Sequence, residues 1–445
     1  MISVSQKIAS SQRKSSRKVF NVASVLLTIS LMLILSGVAA LGQNPPGTAP
    51  APGTTAPNPC DQSNKGLEGT FKCLKHFYDK VTQSEGPHLV LGNVAPGSGL
   101  TPGFGYGKSS VGEKWRINLN ASARVSVKKY WEVDSNVRLT KSSNTFSSSN
   151  ANGPSGDLKI DIYAQVKDMP RLDFFGLGPE SKEQNRAVYH YREGVIGADV
   201  SKPVARQVDI GGAFETILPR IIFIKNPTVR SVERVFSDAN APGIRRQPIF
   251  LHFVAFAGLH SSGQPESRKV DYKFLFHFFQ DTQEHLYSFR RFDADLKHKF
   301  PFGKNEVRIR GRVSLSDTSS GQRVPFYLME TLGGSNVRGD DTLRGFRDYR
   351  FRDRDLALLQ LEYMRTVYGP INLIAFYDTG KVAPNFSSFD AGRLRHTYGF
   401  GMVVVPRRGE NVLIRFYVAL GSGEGAHTYV GSGDLLGGRA DRLLR

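Results

Sequence analysis

The sequence predicts an all-β fold, a transmembrane antiparallel β-barrel of about 16 strands, and three observations predict it. From about residue 88 onward, apolar and polar residues alternate with period two in runs longer than the five or six residues usual in soluble sheets. Turn-rich gaps separate these runs, brief and long in alternation. The chain also opens like an exported protein.

That opening comes first in the chain. Lys7, Arg13, Lys14, Arg17 and Lys18 precede an apolar run from Val25 to Leu35, which ends in Ser36-Gly37-Val38-Ala39-Ala40-Leu41-Gly42. Positive, apolar, small is the order of a secretory signal peptide, so residues 1–42 are read as one, with cleavage after Ala40 or Gly42. An uncleaved membrane helix is the alternative, because the apolar run approaches the ~20 residues that span a bilayer. Residues 43–58 are a Pro/Ala-rich linker that offers no side chains for a core. Residues 59–87 read as a short periplasmic segment, with a helical turn or two around Phe71, Leu74 and Phe77. Its Cys60 and Cys73 would meet an oxidising compartment, where a disulfide between them is the default. Residues 88–445 are read as the barrel.

The strand evidence is explicit. In Trp115–Val127 every odd position is apolar, and Arg116, Asn118, Asn120, Ser122, Arg124 and Ser126 lie between them. The same alternation recurs around Trp131–Leu139, Leu158–Lys167, Val307–Leu315 and Val412–Leu420. A soluble β-sandwich alternates too, but its strands are short and its second face is not so uniformly charged. The brief gaps Tyr368-Gly369-Pro370 and Pro406-Arg407-Arg408-Gly409 read as turns, and residues 219–247 and 318–351 as long outer loops. Ile117 and Ile414 should face lipid, Arg116 and Arg310 the water inside.

A net charge of +19 raises nucleic acid as a partner, but an exported chain seldom meets it, and none is expected. A solvated basic lumen is the first reading of that charge. Outer-membrane lipid, lipopolysaccharide or an acidic protein client are the next. The ten histidines are scattered along the sequence, and the glycine-rich stretches lie in strands and turns rather than between a strand and a helix. No catalytic constellation, cofactor or metal site is expected, and the chain reads as a non-enzyme.

One set of motifs is more specific. Leu332-Gly333-Gly334-Ser335 opens a segment that reaches Thr342-Leu343-Arg344-Gly345-Phe346. About thirty residues on comes Ala375-Phe376-Tyr377-Asp378-Thr379-Gly380-Lys381-Val382, and Asp173-Phe174-Phe175-Gly176-Leu177-Gly178-Pro179 stands upstream. Over residues 88–436 the chain resembles the bacterial surface antigen family of outer-membrane assembly factors, the BamA/TamA-type barrels. That resemblance implies that an outer loop folds back into the lumen, with Leu343, Arg344, Gly345 and Phe346 at its tip. It implies that Arg344 meets acidic groups on the inner wall, Asp378 first, beside Gly380. Alternation adds Glu362 independently: in Leu356–Tyr368, Gln360 and Glu362 face opposite to Leu359, Leu361 and Tyr363.

Three departures from the family pattern stand out. Asn336 to Asp341 intervene before the arginine motif, which makes Val337-Arg338-Gly339 a rival copy. Periplasmic client-binding (POTRA) domains are not recognisable. The chain ends Arg442-Leu443-Leu444-Arg445 rather than on an aromatic residue. The function implied is insertion or translocation of other proteins at the outer membrane, through a seam between first and last strands. Gly103, Gly105 and Gly107 are expected on the first strand, Gly431 and Gly433 on the last. A passive channel or structural barrel, partnered by a separate periplasmic subunit, is the alternative.

Overall fold

The alternation builds the wall. The computed structural model describes residues 85–141, 158–224, 230–261, 268–336, 339–390, 393–405 and 414–431. The signal, linker, helical turn and cysteine pair expected in residues 1–84 lie outside the described residues, as do the turn at 406–409, Gly433 and the rival Arg338.

The first half of the chain supplies β1 (Gly86–Gly92), β2 (Thr101–Val111), β3 (Trp115–Val125), β4 (Trp131–Lys141) and β5 (Lys159–Phe174). It continues with β6 (Ala187–Ala205), β7 (Val208–Ile222), β8 (Phe250–His260) and β9 (Val270–Asp281). The second half supplies β10 (Phe289–Phe302), β11 (Asn305–Asp317), β12 (Glu330–Leu332), β13 (Phe351–Asp353) and β14 (Asp355–Tyr368). It ends with β15 (Ile371–Ala383), β16 (Arg395–Val404), β17 (Ile414–Gly421) and β18 (Gly425–Gly431). Sixteen of these form one sheet in strict chain order, β14 following β11, while β12 and β13 pair separately inside the connection between those two. Every pairing is antiparallel, as expected for a meander wall.

Burial is inverted relative to a soluble sheet. Arg308, Arg310 and Arg312 of β11 are buried, whereas Leu359 and Leu361 of β14 and Phe274 and Phe276 of β9 are exposed. Apolar side chains therefore line the outside and charged ones the inside, as a wall between lipid and a polar interior requires. The 318–354 connection lies in that interior: it touches β6 through Arg352, β10 through Glu330, β15 through Arg344 and β17 through Asp341. A sheet that reaches one central segment from so many of its strands must curl around it.

Boundaries differ in places. Strand β3 stops at Val125, because Lys129 takes a φ of 67° and Ser126 accepts the backbone N–H of Tyr130 to close a turn. The Gly103, Gly105 and Gly107 column belongs to β2, not to the first strand. The first strand, Gly86–Gly92, is short and carries Gly86, Pro87 and Gly92, so its period-two signal is weak. Gly431 does close the last strand of the sheet. Strand β4 ends at Lys141 and β5 begins at Lys159, a wider gap in sequence than the described connections at that end of the wall.

Register ranks the lipid-facing positions. Leu361 sits mid-strand between Ile309 and Tyr377, whereas Ile414 is the first residue of β17. Leu361→Arg should therefore cost about 2–4 kcal/mol of folding into lipid vesicles, and Ile414→Arg distinctly less, since the penalty fades toward the interface. Denaturant titrations of the two variants check this, and equal, small effects would contradict the outward assignment.

Candidate functional site

The site grows from two adjacent strands. On β14, Gln360 and Glu362 alternate inward while Leu359, Leu361 and Tyr363 point out. Pairing with β15 sets Gln360 opposite Asp378 and Glu362 opposite Phe376. Two carboxylates, an amide and a phenyl ring thus meet on neighbouring rungs of the inner wall.

The tip of the long loop fills that cluster. Arg344 donates from Nε to Asp378 Oδ2 at 2.9 Å, from Nη2 to Asp378 Oδ1 at 2.7 Å and from Nη1 to Glu362 Oε2 at 2.8 Å. Its own backbone N–H reaches Asp378 Oδ2 at 3.2 Å, and its guanidinium carbon lies 3.6 Å from the Phe376 ring centroid. Only a planar fork satisfies one carboxylate bidentately and a second at the same time. Gln360 donates to the Thr342 carbonyl at 2.9 Å, holding the loop just before the arginine. The side chains of Arg344, Asp378 and Glu362 are all fully buried. Burial disfavours the Arg344 charge, but Asp378, with Glu362 behind it, outweighs that and keeps the guanidinium protonated above its ordinary range.

The residues beside Arg344 have separate tasks. Leu343 and Phe346 are buried in an apolar cluster with Leu332, Phe351, Leu356, Leu358 and Val382. Gly380 makes space for it: a Cβ there would lie 2.7 Å from the Ala357 carbonyl and 3.3 Å from Leu332 Cδ1. Gly345 is needed for close approach, since its Cβ would meet the Gly421 nitrogen at 2.5 Å. Its N–H donates to Thr397 Oγ1 of β16 at 3.3 Å. All seven expected residues, Leu343, Arg344, Gly345, Phe346, Glu362, Asp378 and Gly380, therefore come together here.

Others join them that sequence reasoning did not single out. Arg415 on β17 donates to Asp341 Oδ2 at 2.5 Å and to the Tyr429 hydroxyl of β18 at 3.3 Å. Gly421 receives Gly345, and Arg350 pairs with Glu424 in the β17–β18 turn. Glu330 accepts from Arg312 at 2.8 Å and Arg291 at 3.2 Å. Arg352 lies among the rings of Phe174, Tyr189 and Phe326, and donates to Tyr189 Oη at 3.0 Å. The Phe-Gly-Leu-Gly segment meets the loop at this point, through the Gly178 N–H on the Arg352 carbonyl at 2.9 Å. The loop is thus fastened to β14, β15, β16 and β17, and Arg350 reaches the β17–β18 turn.

The opposite half of the interior is open. A cavity of about 670 Å³ faces the inner sides of β3 to β10 and loop residues Tyr327 to Glu330, with Arg124, Glu132, Asp161, Glu193 and Glu215 on its wall. In that wall Glu215 accepts from Tyr163 Oη at 2.6 Å and meets His252 Nδ1 at 2.8 Å, while His252 Nε2 lies 3.0 Å from His277 Nδ1. Histidines scattered in sequence are neighbours here because β8 and β9 are.

The ion pairs made by Asp341 and by Arg344 should not contribute equally. Asp341→Ala should loosen the loop less than removal of Arg344, because Arg415 keeps Tyr429, whereas Asp378 loses the cation it shares with Glu362, and Glu362 is left with Arg308 at 3.6 Å. Limited proteolysis of the folded protein ranks the two; a larger effect at Asp341 would reverse the assignment.

No family model matches the chain, and no curated protein matches it in sequence. Solved structures resemble it in fold. BamA from Haemophilus ducreyi, in a structure lacking POTRA domains 1–3, aligns with a TM-score of 0.50 at 12% identity over 82% of this chain and 77% of that one. CdiB from Escherichia coli aligns at 0.48 and 10% identity, over 79% of this chain and 60% of that one. CdiB from Acinetobacter baumannii aligns at 0.47 and 12% identity, over 74% and 56%. At such identities the likeness is one of fold: an outer-membrane type of β-barrel.

Proposed function

We propose that the protein is an outer-membrane barrel of the assembly-factor type, which inserts or translocates other proteins. The observation that carries this reading is the buried Arg344–Asp378–Glu362 site, which fastens a folded-in loop to the last strands of the sheet. A pore that only needed a constriction would gain nothing from burying a three-charge cluster, which is costly to desolvate. A loop whose release frees β14 to β17 offers a way for the wall to yield to a client. The exported N-terminus, the outer-membrane location, protein clients and the absence of catalysis belong to the same reading, and a separate periplasmic subunit to the alternative, a passive channel or structural barrel.

The passive-channel reading is favoured by one observation, the open cavity of about 670 Å³ beside β3 to β10. One experiment separates the two. The full chain, reconstituted in lipid vesicles, is given an unfolded outer-membrane client, and its protease-protected insertion is compared with planar-bilayer conductance. Insertion above protein-free vesicles, lost in Arg344→Ala while the barrel stays folded, supports the assembly reading. Steady conductance with no gain in insertion supports the channel.

A further inference from the structure

At the loop-bearing end of the wall, the outward columns of β9, β10 and β11 change from apolar to polar at one level. Below it the lipid face carries Phe274, Phe276, Phe278, Phe292 and Leu315. Register then sets Phe278 beside Arg290, and Arg290 beside Asp317. Gln280 is the next outward residue above Phe278.

The β9–β10 turn behind them is held by Asp281, whose carboxylate accepts the backbone N–H groups of Gln283, Glu284, Leu286 and Tyr287. His285 stands on that turn at a φ of 55°. Between the turn and the start of the long loop lies a pocket of about 330 Å³, lined by Gln280, His285, Arg290, Asp317, Ser319 and Gln322. Among the described residues, the side chains of Arg290, His285, Gln280 and Asp317 have no hydrogen-bond or ion-pair partner. Arg290 and Asp317 are cross-strand neighbours and still do not pair.

A guanidinium without a protein partner, at the upper edge of an apolar face, sits where phosphoryl headgroups lie, and its fork matches a phosphate. The face beneath it has relief. Phe274 stands between Ala257 and Ala294, and Phe276 is flanked by Ala255, so an aromatic ridge on β9 runs beside alanine troughs. We propose that this pocket and ridge hold one lipid with a phosphorylated, hydroxyl-bearing headgroup. Its phosphoryl group takes Arg290 and His285, its hydroxyls take Asp317, Gln280 and Ser319, and an acyl chain lies in the trough beside Phe274 and Phe276. The inference rests on the membrane placement proposed above and not on client insertion, so the two fail separately.

The test is a native mass-spectrometric titration of the full chain in detergent, with diphosphorylated lipid A, the same lipid dephosphorylated, and inorganic phosphate as probes. The diphosphorylated lipid should bind about tenfold or more tightly than the dephosphorylated one, the size of one charge-assisted contact. Arg290→Gln should remove most of that preference, and Phe276→Ala should weaken both lipids alike. Inorganic phosphate should not displace the lipid. Arg290 is exposed, so its variant should fold as the parent does, which the heat-dependent gel shift of a barrel checks. His285→Asn, which tolerates the left-handed backbone there, gives a second reading. Equal binding by parent and Arg290→Gln, no preference for the phosphorylated lipid, or displacement by inorganic phosphate would each overturn the proposal.

Discussion

Arg344→Ala should detach the lumen loop from the wall, the largest single-residue effect expected in this protein. Removing the guanidinium leaves Asp378 and Glu362 buried without their shared cation, and breaking a buried pair on one side costs about 3–5 kcal/mol. The side chains involved are fully buried, so water screens the loss little. Asp378→Ala should cost a similar amount, for it strands the arginine instead. The double variant should be little worse than either single one, because the second substitution removes a charge the first has already made unfavourable. Arg344→Lys should rescue poorly: a point charge cannot donate to both carboxylates and lie flat on Phe376. Strictly additive effects in this cycle, read by denaturant unfolding, would remove the pairing.

Gly421→Ala should produce the second large effect, by steric means. A Cβ at Gly421 would lie 2.1 Å from the Gly345 carbonyl oxygen and 2.8 Å from its carbon. Both are backbone atoms of the loop tip and cannot turn aside as a side chain would. Gly421 has an ordinary φ, so the residue is needed for space and not for conformation. Overpacking of this kind costs about 1–3 kcal/mol or more, and the cheapest escape is for the loop to lift off β17. Gly311→Ala is the matched control, since nothing lies within 4 Å of its Cβ position. Protease sensitivity of the loop should rise in Gly421→Ala and stay at the parent level in Gly311→Ala. The same sensitivity in both would contradict the close contact.

The barrel was legible because alternation needs no knowledge of which strand pairs with which. Each run such as Trp115–Val125 or Asn305–Asp317 declares its two faces by itself. Glu362 was legible for the same reason, whereas Asp378 was legible only through the motifs that carry the family resemblance. The first strand was not, because seven residues with Gly, Pro and Gly carry too little contrast. What escaped entirely depends on register or on the path of the loop. His252 and His277 meet only because β8 and β9 pair as they do, and no period within either strand encodes that. Arg415 and Gly421 acquire meaning only once the loop tip crosses β17, although Asp341 lies three residues before Arg344 and carried half of that signal.

The central claim is that the loop tip, Asp341 to Phe346, fastens the late strands β14 to β17, while other parts of the same connection reach β6 and β10. Hydrogen–deuterium exchange of backbone amides, compared between parent and Arg344→Ala in the same membrane mimic, tests it most directly. Faster exchange is predicted in β14 to β18, above all in β17 around Gly421, with β3 to β8 exchanging as in the parent. Unchanged exchange in β17 and β18, or an equal rise across all the strands, would contradict it.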